Sequence, residues 1–437
     1  MAKKTSLKKT ARPTSVTVRS FQVGFGDCFL LSFNYGEAAG APGRHVLIDF
    51  GSTAQPKRGA VPMTKVADEI KRICDGKLHA VVATHRHRDH ISGFGGKPGK
   101  TIASLKPDVV VQPWTEHPNA ARGADEAPEV RVRAKGFMRA LAEMHAIADA
   151  SLKEIQTLRT SATVKNQLRF LGDDNKLANR AAINTLMGMK CTHTYVNHGS
   201  KSGLESVLPG VRIHVLGPPN LTQSRAIETQ VSEDPEEFWH LQAAAARRVT
   251  SGARAIFPRA RKVTGSILPL ETRWFLPRVE SIRGEQLLEI VRILDKQMNN
   301  TSVILLFEVG GKKLLFPGDA QLENWMFALK EAKNAKATKK LLAGVDVYKV
   351  GHHGSLNATP KTLWKLFSRK GGPNRRNRLT TVMSTMANKH GSVDRDTEVP
   401  RSKLVTALTD ESNLVNTQKL TTKAKFVNEI HIPVQSR

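Results

Sequence analysis

The stretch "THRHRDHISGF", residues 84–94, follows the apolar run "LHAVVA" (78–83) and sets His85, His87, Asp89 and His90 within six positions. A short apolar run closed by polar residues reads as a buried strand, so the cluster is predicted to lie in the loop at that strand's end. Past the strand the backbone leaves ladder geometry. His85 and His87 can then turn toward one point while Asp89 and His90 turn toward another, which predicts two adjacent metal sites. Mixed imidazole and carboxylate ligands favour Zn and leave Mn and Fe open. A lone histidine is ordinarily a surface or hydrogen-bonded core residue. Three histidines and an aspartate at one strand end call for a ligand.

Outward from this cluster the chain alternates between strand-like and helix-like blocks. "SVTVRSFQVGFGDCFLLSFNY" (15–35) alternates and then runs apolar around a Gly-Phe-Gly-Asp break. "RHVLIDFGS" (44–52) is a short strand ending in Asp49, and "VADEIKRIC" (66–74) has helical spacing. Further on come "VRIHVLGPP" (211–219), "TSVILLFEVGGKKLLFPGD" (301–319) with a hairpin turn at Gly310 and Gly311, and "VDVYKVGHHGS" (345–355). Asp319 ends one of these strands, where its carboxylate can bridge two cations, and His352 and His353 end another. The pattern predicts an α/β core, because strands and helices alternate. Segments of about 120–190 and 221–298 carry helical periodicity and are expected as insertions; in "SEDPEEFWHLQAAAARRV" (232–249), Ser232 or Asp234 suits a helix cap and Pro235 its first turn.

Among 437 residues, 67 Lys and Arg face 39 Asp and Glu, a formal net charge of +28. Such an excess favours polyanionic partners, nucleic acid first among them. "SRKGGPNRRNRL" (368–379) brings Arg369, Lys370, Arg375, Arg376 and Arg378 together without an acid, and Lys3, Lys4, Lys8 and Lys9 make residues 1–16 a basic arm expected to be disordered. Cys28, Cys74 and Cys191 have no CxxC spacing, which argues against a disulfide framework or zinc finger and fits a reducing compartment. The N-terminus lacks the apolar stretch of a secretory signal, and no window reaches the roughly 18 apolar residues of a membrane span. A soluble, cytoplasmic protein with no membrane partner is expected.

Taken together, "LIDFGS", "THRHRDH", "FPGD" and "KVGHHGS" resemble the metallo-β-lactamase-fold hydrolases. With "FQVGFGDCFLL" they are most similar to the hydrolase domain of bacterial DNA-uptake (competence) proteins and to related phosphorylcholine esterases. The resemblance covers about 17–112, 192–220 and 299–395. It implies a four-layered αββα sandwich spanning 17–395, interrupted by the helical insertions and followed by a C-terminal extension at 396–437. It also implies that His85 and His87 hold one divalent metal, that Asp89 and His90 hold the other, and that Asp319 bridges them. One of His352 and His353 would complete the second site, His353 being favoured as ligand and His352 as a group facing substrate. Asp49 would orient a histidine or water from behind. A third histidine for the first metal has no clean match; His198 in "YVNHGS" and His214 are the candidates. "MSTMANKHGS" (383–392) supplies Ser384, Asn388 and His390, which resemble a substrate-side loop, and Arg375 and Arg376 would meet a phosphate backbone.

The resulting expectation is a hydrolase using a metal-bound hydroxide, with Asp89 and His352 as catalytic groups and DNA or RNA as substrate. Two alternatives stand beside it. One is a hydrolase of a small phosphoester, lactam, lactone or thioester with the insertions as a lid. The other is a non-catalytic nucleic-acid-binding module on a decayed hydrolase scaffold.

Overall fold

A computed structural model of the chain describes residues 11–36, 43–117, 179–220, 222–224, 298–355, 359–387, 398–420 and 424–434, with shorter stretches among 154–166 and 278–288 and single residues 389 and 422. The chain divides into two units, one of 1–120, 179–227 and 298–437, the other of 121–178 and 228–297. All the strands described lie in the first. In the second, residues 162–166 and 280–288 are helical, and Arg283 pairs with Glu154.

The first unit is a mixed α/β structure with two mixed sheets. β1 (Ser15–Phe21), β2 (Cys28–Asn34), β3 (Arg44–Phe50), β4 (Ala80–Val82), β5 (Val109–Pro113), β6 (Thr192–Val196) and β13 (Val427–Pro433) form a seven-stranded sheet in the order β13-β1-β2-β3-β4-β5-β6. β7 (Arg212–Gly217), β8 (Ile304–Val309), β9 (Lys312–Phe316), β10 (Val347–Lys349), β11 (Thr380–Met383) and β12 (Asn413–Asn416) form a six-stranded one, β12-β11-β10-β9-β8-β7. Each sheet joins an antiparallel part to a parallel one: β3 to β6 run parallel, as do β9 to β12.

Period-2 alternation explains why both sheets read as apolar runs. Along β2, Phe29, Leu31 and Phe33 enter a core shared with Leu305, Phe307 and Phe316 of the second sheet. Cys28 and Leu30 point the other way, onto Val66, Ala67 and Ile70 of α1 (Met63–Ile73). In β8, Ile304 and Leu306 likewise join Trp325 and Leu342, on α5 (Leu322–Met326) and α6 (Ala335–Ala343). A strand buried on both faces has no polar position to spare, so its sequence is continuous in Val, Leu, Ile and Phe. The structure is compatible with an α/β sandwich. No helix among the described residues is long and apolar enough to cross a membrane.

Three expectations about boundaries change. Residues 180–187, expected inside the first helical insertion, form α4 (Arg180–Met187), whose Ala182 and Leu186 pack in the same core as Ile102 of α3 (Gly96–Ser104). The segment 396–437, expected as an extension, supplies α8 (Ser402–Glu411) and the edge strands β12 and β13. β13 pairs with β1 from Ser15↔Pro433 to Phe21↔Val427, and Ile432 enters the shared core. Ser15 and Val16, expected in the arm, already belong to β1. The pattern hid the role of β13 because "VNEIHIP" alternates around charged residues and buries only one face.

Candidate metal centre

Most residues of the cluster sit at or just beyond the C-terminal end of a parallel strand, the usual place for ligands in α/β sheets. Asp49 closes β3, His85 to His90 follow β4 and lead into α2 (Arg88–Ile91), Asp319 follows β9, and His352 and His353 follow β10. Asp27 lies in the loop between β1 and β2. Three of these residues, Asp49, His352 and His353, have left-handed φ angles of 56°, 41° and 52°. Such backbone is costly for a non-glycine residue and is retained where surrounding bonds over-determine it.

Those bonds are present. Asp49 accepts from the Thr84 amide at 2.8 Å and the Thr84 hydroxyl at 2.7 Å, and its Oδ2 lies 2.7 Å from His90 Nδ1. His353 Nδ1 lies 2.9 Å from the Ser384 carbonyl. A carbonyl can only accept, so the proton is on His353 Nδ1; the Asp49 carboxylate, raised by burial but drawn back by His90 and Thr84, imposes the same on His90 when it is ionised. Both rings then aim Nε2 inward, His90 at Asp319 Oδ2 (3.0 Å) and His353 at Asp89 Oδ2 (2.9 Å). The ligand atoms of Asp89, His90, Asp319 and His353 all lie within 4.8 Å of one another, and all four residues are buried.

A lone pair facing a carboxylate is repulsive unless a cation stands between them or the ring takes a second proton. Burial alone would lower His90, yet Asp319, Asp49 and Asp89 hold it well above the usual histidine range. His353 is raised likewise by Asp319 and Asp27 against its burial. Burial would raise Asp319, but His90, Lys349 and His353 hold it well below the usual carboxylate range. Asp89 Oδ1, His90 Nε2 and Asp319 Oδ2 are buried without a hydrogen-bond partner. Two carboxylates and two imidazoles with inward atoms unsatisfied suit a Zn, Mn or Fe ion in charge, donor type and number.

The other expected ligands are arranged differently. His85 Nε2 and His87 Nδ1 lie 3.0 Å apart, and His87 Nδ1 is also 3.1 Å from Asn299 Oδ1. The two rings are therefore brought together, but neither joins the four-residue group. Burial, then the nearby His90 and His87, keeps His85 well below the usual histidine range. Between them, Arg86 turns outward and makes a bidentate pair with Glu116. Of the twin histidines, His353 enters the group, whereas half-buried His352 bonds Ser355 Oγ through Nδ1 at 2.8 Å and gives its backbone amide to Asp319 Oδ1 at 3.1 Å.

Neither candidate for a third histidine reaches the cluster. His198 uses one ring nitrogen on the Leu216 carbonyl and the other on Asn334 Oδ1, each at 2.9 Å, while His214 pairs with Glu308. Ser384, expected on the substrate side, is buried: its hydroxyl donates to the Gly26 carbonyl while its own carbonyl holds His353. Asn388 and His390 lie outside the described residues. The basic loop is largely committed to the fold. Arg378 bonds the Thr409 and Asp410 carbonyls at the end of α8, Arg375 bonds the Ser368 carbonyl, and Lys370 pairs with Glu411. Arg376 is exposed on that loop.

Two residues central to the cluster escape the motif reading. Lys349, only 2% exposed, pairs with Asp27 and with Asp319 Oδ1 (3.2 Å) and donates to the Gly318 carbonyl at 2.9 Å. Asp27 is fully buried, its amide donating to the Asp89 carbonyl at 2.8 Å. A lysine inside the apolar strand "VDVYKV" is the signal that could have found the pair, since a buried ammonium requires a buried anion. The sequence matches no protein-family model and no curated protein.

Proposed function

We propose that the chain is a metal-dependent hydrolase of the metallo-β-lactamase type, a four-layered αββα sandwich, and that it cleaves phosphodiester bonds of DNA or RNA in the cytoplasm. The observation that carries this reading is the meeting of Asp89, His90, Asp319 and His353, from three separate strand ends, with ligand atoms within 4.8 Å. Four buried carboxylates, those of Asp27, Asp49, Asp89 and Asp319, face one buried ammonium, Lys349, so the centre calls for added positive charge.

Asp89, His90, Asp319 and His353 would hold a divalent cation, and His85 with His87 would hold a second. Such ions supply Lewis-acid stabilisation of charge at an attacked phosphorus and make water ionise near neutral pH. The remaining work falls to the chain. Asp49 and the Ser384 carbonyl keep His90 and His353 in one tautomer, so neither ring has to reorganise during turnover. Asp89 turns Oδ2 toward His353 Nε2, where a cation would stand between them, and leaves Oδ1 to accept a proton from the attacking water. His352, half-buried and bonded to Ser355, would protonate the departing oxygen. The surplus of +28 favours a polyanionic substrate.

The test is cleavage of labelled single-stranded DNA and RNA with Zn or Mn. Activity lost in chelator and in Asp89→Ala supports the proposal. Inertness toward every nucleic acid together with turnover of a small ester would replace it.

A further inference from the structure

The basic loop that the sequence singles out is tied into the fold, whereas a second basic segment is not. Between α5 and α6, and along α6, run Lys330, Lys333, Lys336, Lys339 and Lys340, all exposed, with Glu331 the sole acid from 324 to 345. None of these lysines has an ion pair or other side-chain partner among the described residues. The segment is fixed from beneath. Ala332, Thr338 and Leu342 are buried, and Asn334 holds His198 at 2.9 Å. Lys336, Lys339 and Lys340 are spaced at i, i+3 and i+4, so they share one face of α6. α7 (Lys361–Leu366) packs beside α6 and adds exposed Lys361 and Lys365, which are also without a partner among the described residues.

We propose that this lysine face of α6 and α7 is a docking surface for the phosphate backbone of nucleic acid. Like charges crowded on a rigid helix repel one another and destabilise it slightly. A polyanion that releases its own counterions on binding removes that repulsion and gains entropy. The crossover that carries the lysines starts three residues after Asp319 and leads into β10 and the twin histidines, so a strand held there runs over the helices that join two segments of the metal centre. A lipid surface fits less well. A membrane-seeking basic helix presents large apolar side chains beside its lysines, and among the described residues the exposed large hydrophobics are Ile282 and Leu322.

This inference deepens the hydrolase reading by naming how its substrate is held, and its test does not depend on turnover. Affinity of the full chain for a fluorescein-labelled 30-nucleotide DNA is measured by anisotropy in excess chelator, across a salt series, for the wild type and Lys333→Gln/Lys336→Gln/Lys339→Gln/Lys340→Gln. The variant is expected to bind at least about 10-fold more weakly at 0.1 M salt. Its log–log salt slope should be shallower by about 2 to 3, because each phosphate of a single strand that a lysine neutralises adds about 0.7 to that slope. Unchanged affinity and slope overturn the proposal, as does a variant that loses binding to phosphatidylserine vesicles while keeping its DNA affinity. Lysine-dependent binding by a protein that cleaves no nucleic acid would uphold this surface and remove the hydrolase reading instead.

Discussion

Lys349 Nζ stands 3.2 Å from Asp319 Oδ1, on the side of that carboxylate turned away from His90. The ammonium therefore fixes which oxygen of Asp319 faces His90, and through Asp27 it ties the β1–β2 loop to β10. Burial would lower Lys349, but Asp27 and Asp319 outweigh it and raise the ammonium above the usual lysine range.

Replacing Lys349 by Met should leave Asp27 and Asp319 buried without their counter-charge and destabilise the metal-free protein by about 3–5 kcal/mol. Asp27→Asn in the same chain should restore part of that loss. Urea unfolding of the two variants against the wild type measures both; equal stability of Lys349→Met and wild type would mean the pair is not buried as described.

Asp49→Asn should keep the fold and weaken metal binding. The amide oxygen can still accept from Thr84, but an amide NH2 turned toward His90 Nδ1 favours the wrong tautomer. Loss of such a partner costs about 10- to 100-fold in metal affinity. Competition against a chromophoric chelator reads it directly.

Gly51 and Gly26 let the β3 end and the β1–β2 loop close around Asp89. A Cβ on Gly51 would lie 2.4 Å from the Asp89 carbonyl carbon and 2.5 Å from the His90 amide nitrogen. Gly51→Ala should therefore push α2 away, at a cost of about 1–3 kcal/mol as overpacking and with loss of bound metal. Thermal denaturation and metal content by mass spectrometry test the two effects separately.

At the opposite end of the first sheet, His45 and His79 form a buried pair, with the His45 amide donating to His79 Nδ1 at 3.1 Å. Burial first, then Arg19 for His45 and Arg44 for His79, lowers them to about 4 and about 3. Both remain neutral in the folded state while the unfolded chain takes up protons below its ordinary value of 6.5. Stability from each is thus complete above that value and lost as pH falls toward the folded value, by about 1.4 kcal/mol per pH unit per histidine. Unfolding free energies between pH 6.5 and 4 should show this slope, and His45→Gln should flatten it.

The candidate metal centre is legible where several ligand-type residues share one loop or one strand end. "THRHRDH" and "HHGS" declare themselves by crowding, and Asp319 by closing an apolar strand. The different surroundings of His353 and His352 come from the left-handed turn, which sends one ring inward and the other to Ser355. Asp27 and Lys349 stayed hidden because each looks ordinary alone and acquires meaning only across the gap between β1 and β10. Ser384 is buried and not at a substrate-side surface for a related reason. Its type suggests a hydroxyl for substrate, while its work is done by the backbone carbonyl, which every residue has. In the basic loop, charge composition said nothing of the helix-end carbonyls that Arg378 occupies.

Pairing of β1 with β13 brings Arg19 against Glu429, 410 positions away. During synthesis, Asp89, His90, Asp319 and His353 have all left the ribosome while the outer edge of β1 still lacks its neighbour. A nascent chain at that stage carries an open hydrogen-bonding edge, inviting either a second copy or a chaperone. Trimming at 427–433 should therefore show itself as association between molecules before it shows as loss of the Asp89, His90, Asp319 and His353 cluster.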